Sequence, residues 1–289
     1  MKLPKLQQLK YLVALHDTGH FGQAAKKCFV SQSTLSSAIQ ALEEQLSSQL
    51  IERDHKTFLF TALGQDVVNK ARQILELSSD LVASSSSNGD EFLGELHVGI
   101  IPTIAPFVLT ELIRENSKAY PNLKLYLRED TSENCLALLK SGQLDMALLA
   151  TPYDTSEFAE LTIARDPFYK VSHPQNKEGK IYLLESEHCL SEHAISGCHL
   201  TDNSNIQPFQ ASSLNSLLAM VEGHKGETYL PKLAINSGVL KESELLAEPL
   251  TFENSARNIG LVWRKTSQRR EFYVGVSQLF KTVLSAKLS

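Results

Sequence analysis

The feature that most constrains this chain is a change of hydrophobic rhythm. As far as Ala83 the apolar residues recur at helical spacing; beyond a serine-rich stretch, short apolar runs alternate with helical ones. Leu9, Leu12, Val13 and His16 stand at i, i+3, i+4 and i+7, one face of a helix ending near Asp17-Thr18-Gly19. Phe21, Ala24, Ala25 and Cys28 give a second short helix an apolar face whose small alanines admit a close neighbour. After a turn at Phe29-Val30, Ser31 is placed to cap a third helix with Leu35, Ile39, Leu42 and Leu46 on one side. Three short helices so close in sequence predict a helix-turn-helix.

The opposite face of the third helix carries Ser31, Gln32, Ser33, Thr34, Ser36, Ser37 and Gln40, with acids only later at Glu43 and Glu44. A helix entering the major groove needs short hydrogen-bonding side chains at its start and no carboxylate against the phosphates. Taken alone, such a face is also what an ordinary solvated helix presents. Leu50 to Phe60 then alternates apolar and polar residues around a charged tip, as a two-stranded wing would, which sets Arg53 and Lys56 to contact phosphate or the minor groove. The formal net charge of -5 excludes a broadly basic surface but leaves a local one possible.

The order of the pieces is more specific than any one of them. Phe21-Gly22-Gln23-Ala24-Ala25, Val30-Ser31-Gln32-Ser33-Thr34-Leu35-Ser36, Ile39-Gln40-Ala41-Leu42-Glu43, Leu50-Ile51-Glu52-Arg53 and Phe60-Thr61-Ala62-Leu63-Gly64 together resemble the winged helix-turn-helix of LysR-type transcriptional regulators. Ser33 stands where such proteins often carry proline in the first helical turn. From Thr61 to about Ala83 one helix is predicted, with Val67, Val68, Ala71, Ile74, Leu75, Leu77 and Leu81 as an apolar stripe. Packing on the same helix of a second chain would bury that stripe, and a dimer suits a palindromic duplex; the alternative is that it lies on its own larger domain. Ser84-Ser85-Ser86-Ser87-Asn88-Gly89-Asp90 reads as a linker.

Beyond it, strands at Leu96–Ile101, Leu123–Leu127 and Asp145–Leu149 alternate with helices near 105–118 and 133–141, predicting a parallel sheet whose ligand site lies at the strand carboxyl ends, where Pro102-Thr103 and Thr131-Ser132 fall. Strands near 181–184 and 207–210, a helix over 212–222, a return strand at 259–262 and a terminal helix complete two α/β lobes. The expected domains are a winged head at 1–60, a dimerisation helix and hinge at 61–91, and a two-lobed sensor at 92–289 with its second lobe about 164–258. The family resemblance implies a periplasmic-binding-protein-like sensor fold, double-stranded DNA as partner, a homodimer pairing into a tetramer, and RNA polymerase as a partner if the protein activates. No run approaches the roughly 20 apolar residues of a membrane span, and the amino terminus has no signal-peptide pattern, so the chain is expected in the cytoplasm, with no membrane, metal or cofactor.

Four cysteines are too few for a disulfide scaffold. Cys28 and Cys135 lie on apolar helix faces and read as structural. Cys189, preceded by His188, and Cys198 read either as small core residues or as an attacking and a resolving thiol. His188-Cys189-Leu190, Ala194 and Cys198, with Gly99-Ile100-Ile101-Pro102-Thr103, Ser141-Gly142-Gln143-Leu144-Asp145 and Ile259-Gly260-Leu261-Val262-Trp263-Arg264, resemble the peroxide-sensing activators of the LysR family. That resemblance implies that Cys189 meets peroxide, that Cys198 closes a disulfide with it, and that Thr103, His188 and Arg264 support the site. Were 189–198 one helix, the two α-carbons would stand roughly 13 Å apart, where a disulfide tolerates about 7 Å, so oxidation would refold the segment. The sequence departs from the pattern at Ser191, where a basic residue is common, and between Ile163 and Ile181, which looks short of part of a strand or its loop. The leading expectation is a non-enzymatic, peroxide-sensing DNA-binding regulator. The alternatives are a metabolite-responsive LysR-type regulator without a working disulfide and a thiol-dependent peroxidase.

Overall fold

The computed structural model describes residues 3–53, 58–85, 92–185, 190–191, 194–195, 205–251 and 255–289. Lys56, His188, Cys189, Cys198 and most of the serine-rich stretch lie outside them, as does the Arg53 side chain. The chain divides into a unit of residues 1–89 with 141–143 and a unit of residues 90–140 with 144–289.

In the first unit, α1 (Leu6–Thr18) stops where Gly19 turns left-handed at φ 60° and donates to the Leu15 carbonyl. α2 (Phe21–Lys27) starts on His20, whose Nδ1 accepts from the amides of Gly22 and Gln23. It ends with Phe29 N–H donating to Lys26 O and Val30 N–H to Ala25 O, the reversal of a left-handed helix cap. Glycine is the usual residue there; Phe29 holds φ 56° instead, at a cost of roughly 1 kcal/mol. Ser31 caps α3 (Gln32–Leu46) by accepting from the Thr34 amide at 3.1 Å.

The head core holds Leu12, Leu15, Leu35, Ile39, Leu42 and Leu50 at full burial. Leu46, expected on the same face, is the last residue of α3 and is 36% exposed. The wing is β1 (Ile51–Arg53) paired antiparallel with β2 (Phe58–Phe60). The Glu43 carboxylate accepts from the amides of Leu50 and Ile51 at 2.8 and 3.0 Å, so this acid of α3 holds the wing in place. α4 (Ala62–Ser85) divides its stripe: Val68 and Ala71 are buried in the head core, whereas Ile74, Leu77 and Leu81 are exposed.

The second unit begins with β3 (Gly94–Ile100), α5 (Ala105–Ala119), β4 (Leu123–Glu129), α6 (Ser132–Lys140) and β5 (Met146–Thr151), with β3 parallel to both β4 and β5. Every residue of β5 is buried, as its unbroken apolar run requires of a central strand. β6 (Phe158–Ser172) is one continuous strand. Its first part pairs antiparallel with β11 (Ala256–Arg264), and its last residues pair with β9 (Glu227–Pro231) and β10 (Leu246–Pro249). β7 (Ile181–Leu184) and β8 (Ile206–Ala211) extend that second part, with α7 (Leu214–Gly223) packed on it, whereas α8 (Lys232–Asn236) and α9 (Arg270–Leu288) bury their apolar faces in the core of the first. The sheet is mixed where parallel strands were expected, because β11 returns from the second lobe and inserts antiparallel between β5 and β6. Two apolar cores result, one around β3, β5, β11 and α9, the other around β7, α7 and the end of β6. Among the described residues no helix is long and apolar enough to cross a membrane.

Candidate functional site

On the first unit, the start of α3 presents Ser31, Gln32, Ser33, Thr34, Ser37 and Gln40 exposed and Ser36 half-buried, while Leu35 and Ile39 anchor the other face. The Ser31 hydroxyl lies 2.9 Å from that of Ser33 and 2.7 Å from that of Thr34, so the three hydroxyls form one local network at the cap. No acid occupies the first turn, and the free amides of a helix start favour an anion such as phosphate. Lys26 and Lys27 are exposed at the end of α2.

Behind this face, α1 is clasped to α4 through charge. Both Arg72 Nη atoms bond the Asp17 carboxylate, Arg72 Nη2 lies 3.4 Å from His16 Nδ1, and His16 Nε2 lies 2.9 Å from Gln65 Oε1. Burial by itself would raise the Asp17 carboxyl; hydrogen bonds from His16 and Arg72 and the charges of Arg72 and Lys27 outweigh it and hold the group at about 2.

On the second unit, a cavity of about 230 Å³ opens between the lobes, lined by Pro102, Thr103, Pro106, Phe107, Glu129, Leu184, Ser212, Ser213, Leu214, Asn215 and Val239. Thr103 follows β3 at the strand carboxyl ends, and Ser213 caps α7 by accepting from the Ser216 amide. Behind the wall stands a charged group that sequence reasoning missed. Arg257, fully buried, donates from Nη1 to Thr103 Oγ1 at 2.8 Å and from Nη2 to Thr103 O at 3.1 Å. Its Nε donates to Asp166 Oδ2 at 3.1 Å, and Asp166 Oδ1 accepts from the Leu233 amide at 3.0 Å. Burial drives the Asp166 carboxyl upward, against the pull of Arg257 and that amide.

Arg264, expected beside Thr103, is elsewhere: its Nη1 donates to Leu139 O and Leu144 O, tying the end of α6 to the approach to β5. β11 runs antiparallel to β5, with Asn258 opposite Thr151 and Trp263 opposite Met146. Arg257 therefore stands at the carboxyl end of β5, and Arg264, seven residues on, is about 23 Å away at the other end of the sheet.

Of the segment carrying the expected thiol pair, Leu190 and Ala194 are described and buried in the core of the second lobe. Ser191 is buried too and donates to Leu184 O at 2.6 Å, a setting that would not hold the basic side chain common at this position. Cys28 and Cys135 are buried and unpaired. Burial pushes the Cys135 thiol up to about 12, with the Asp130 charge adding to it, so the reactive thiolate is all but absent there.

The family described as "Bacterial regulatory helix-turn-helix protein, lysR family" matches residues 6–65, and "LysR substrate binding domain" matches residues 89–284. The chain is similar to the HTH-type transcriptional regulator EstR of Acinetobacter baylyi, 39% identical with 97% of each chain covered. It is also similar to a hydrogen peroxide-inducible genes activator of Haemophilus influenzae, 34% identical over 94% of each. Among solved structures, the reduced regulatory domain of OxyR2 from Vibrio vulnificus is similar at 37% identity and TM-score 0.63, covering 66% of this chain and 96% of that one.

Proposed function

The chain belongs to the LysR family of helix-turn-helix transcription regulators, and on that premise we propose that it is a peroxide-responsive, DNA-binding regulator of the cytoplasm. Homodimers, paired into tetramers, place two α3 helices in successive major grooves of a palindromic duplex. Ser31, Gln32, Ser33, Thr34, Ser36, Ser37 and Gln40 meet base edges and phosphates there. Arg53 and Lys56 of the wing meet the backbone, and RNA polymerase is engaged where the protein activates.

The signal is the oxidation of two thiols by one peroxide. The Cys189 thiolate attacks one peroxide oxygen, the O–O bond breaks, and hydroxide leaves to give Cys189 sulfenic acid; the Cys198 thiol then displaces water to form the disulfide. Two thiols are oxidised and peroxide is reduced to two waters. Thr103 and His188 orient peroxide, and Arg257 replaces Arg264 as the cation of the site, since its guanidinium bonds Thr103 directly. The observation that carries this reading is that Leu184 and Thr103 line one cavity, and Leu184 O accepts from Ser191, two residues after Cys189 in sequence. Leu190 and Ala194 are core residues, so a disulfide that drew this segment out of the second lobe would supply the two-state element a switch needs.

The test is mass spectrometry of alkylated protein after stoichiometric peroxide. A Cys189–Cys198 linkage, and a DNA footprint that changes with peroxide in the wild type and stays fixed in Cys189→Ser, are expected; absence of the linkage sinks the switch. One observation favours a second reading. The cavity of about 230 Å³ is several times the volume of a peroxide, given roughly 30 Å³ per water in the liquid, and suits a small metabolite. A footprint that ignores peroxide but responds to a small-molecule library would select that reading.

A further inference from the structure

Phe29 carries an inference that the DNA-binding reading does not contain. It is the most exposed large hydrophobic residue among those described, at 95%, and its backbone is left-handed at φ 56°. Nothing in the fold selects phenylalanine there. Glycine would take the same backbone without strain, and a polar side chain would suit full exposure. Its neighbour Val30 is half-buried against the head core, so the turn is held on one side and the ring is left outside. An outlier that folding does not reward points to an external partner.

Its position says which partner. Phe29 lies two residues before Ser31, so its α-carbon is within about 8 Å of the cap from which the start of α3 faces outward. In sequence, exposed Lys26 and Lys27 precede it and the carboxylate-free start of α3 follows it, a setting complementary to a polyanion although Lys27 Nζ lies 3.8 Å from Asp17. Duplex DNA offers one apolar group in its major groove, the thymine C5-methyl, which a phenylalanine ring can cover.

We propose that Phe29 is a specificity-determining DNA contact, its ring packing on a thymine methyl at the edge of the sequence read by α3. This rests on α3 being the recognition helix, and the experiment separates the two. The full-length protein is used to select duplexes from a randomised pool, and the selected duplex becomes the probe. Phe29→Ala should bind it about tenfold more weakly with an unchanged salt slope, because no phosphate contact is lost. Replacing one thymine per half-site by uracil, which lacks the methyl, should weaken the wild type about tenfold and leave Phe29→Ala unaffected. Phe29→Gly should lose the same affinity without lowering Tm, which a merely structural role would not allow.

The inference is overturned if Phe29→Ala binds as tightly as wild type, or if thymine and uracil duplexes discriminate equally in both proteins. If Ser33→Ala/Thr34→Ala binds normally, or the wild type selects no duplex, the recognition-helix reading falls and takes Phe29 with it. If that double variant binds weakly and the Phe29 variants bind normally, only the Phe29 contact falls.

Discussion

At the scale of single residues, the decisive group is a charge that should not be in a core. Arg257 and Asp166 are both fully buried, and each is kept there by the other and by bonds to Thr103 and the Leu233 amide. Removing one partner strands the other: Arg257→Ala should destabilise the second unit by about 3–5 kcal/mol in urea titrations, because Asp166 is left without its cation. Arg257→Lys should recover part of this at best, since an ammonium cannot bond Asp166 and both Thr103 oxygens through one planar fork. Full stability in Arg257→Ala would contradict the pairing. The sequence displays both arginines of β11, and the family resemblance pointed to Arg264. Strand direction decides otherwise, because in an antiparallel strand it is the amino end, with Arg257, that reaches the carboxyl ends of β3 and β5. Direction depends on pairing between residues far apart in sequence, so no local pattern contains it.

At the scale of elements, the periodic helices were legible because their burial is local. α1, α3, α5 and the end of the chain follow their apolar spacing, and Ser31 caps α3 as its residue type requires. α4 was legible as a helix but not as two surfaces, since only the folded head shows that Val68 and Ala71 are already covered while Ile74, Leu77 and Leu81 are not. β6 was missed because its burial changes along its length as it passes from β11 to β9 and β10, leaving no single alternation to read. Two consequences can be measured. Asp17, held at about 2 against an ordinary 3.8, stabilises the clasp between α1 and α4 fully above pH 5 and loses that contribution as pH falls toward 2. Partial exposure reduces the effect to roughly 1–2 kcal/mol; Asp17→Asn should cost the first unit that much at pH 7 and flatten its acid unfolding, followed by circular dichroism. In the second lobe, Leu190 is only 2% exposed and stabilises the core packing there. Leu190→Ala should cost that packing about 3 kcal/mol, and if the proposed Cys189–Cys198 disulfide forms and takes the segment out of the core, its potential should fall by roughly 60 mV in glutathione titrations. An unchanged potential would mean that Leu190 stays buried in both states.

At the scale of the whole molecule, an acidic protein is asked to hold a polyanion. The formal net charge of -5 per chain repels DNA at long range, so binding has to come from cations concentrated on one face. Lys26 and Lys27 are exposed beside α3, although Lys27 Nζ lies 3.8 Å from Asp17 and is partly committed to it. Arg53 and Lys56 belong to the wing by sequence. If these four cations of each protomer neutralise phosphates in a dimer, log K should fall against log salt with a slope of roughly -7, by about 0.9 per phosphate. Removing a cation should remove its share: Lys26→Ala and Lys56→Ala should each reduce the slope by about 1 per head and weaken all sequences alike, which fluorescence anisotropy across a salt series would read. Lys27→Ala should do less, because Asp17 already competes for that charge. A flat salt dependence would mean that the head does not meet the backbone through this face. A slope that survives loss of all four cations would move the contact to another surface of the chain.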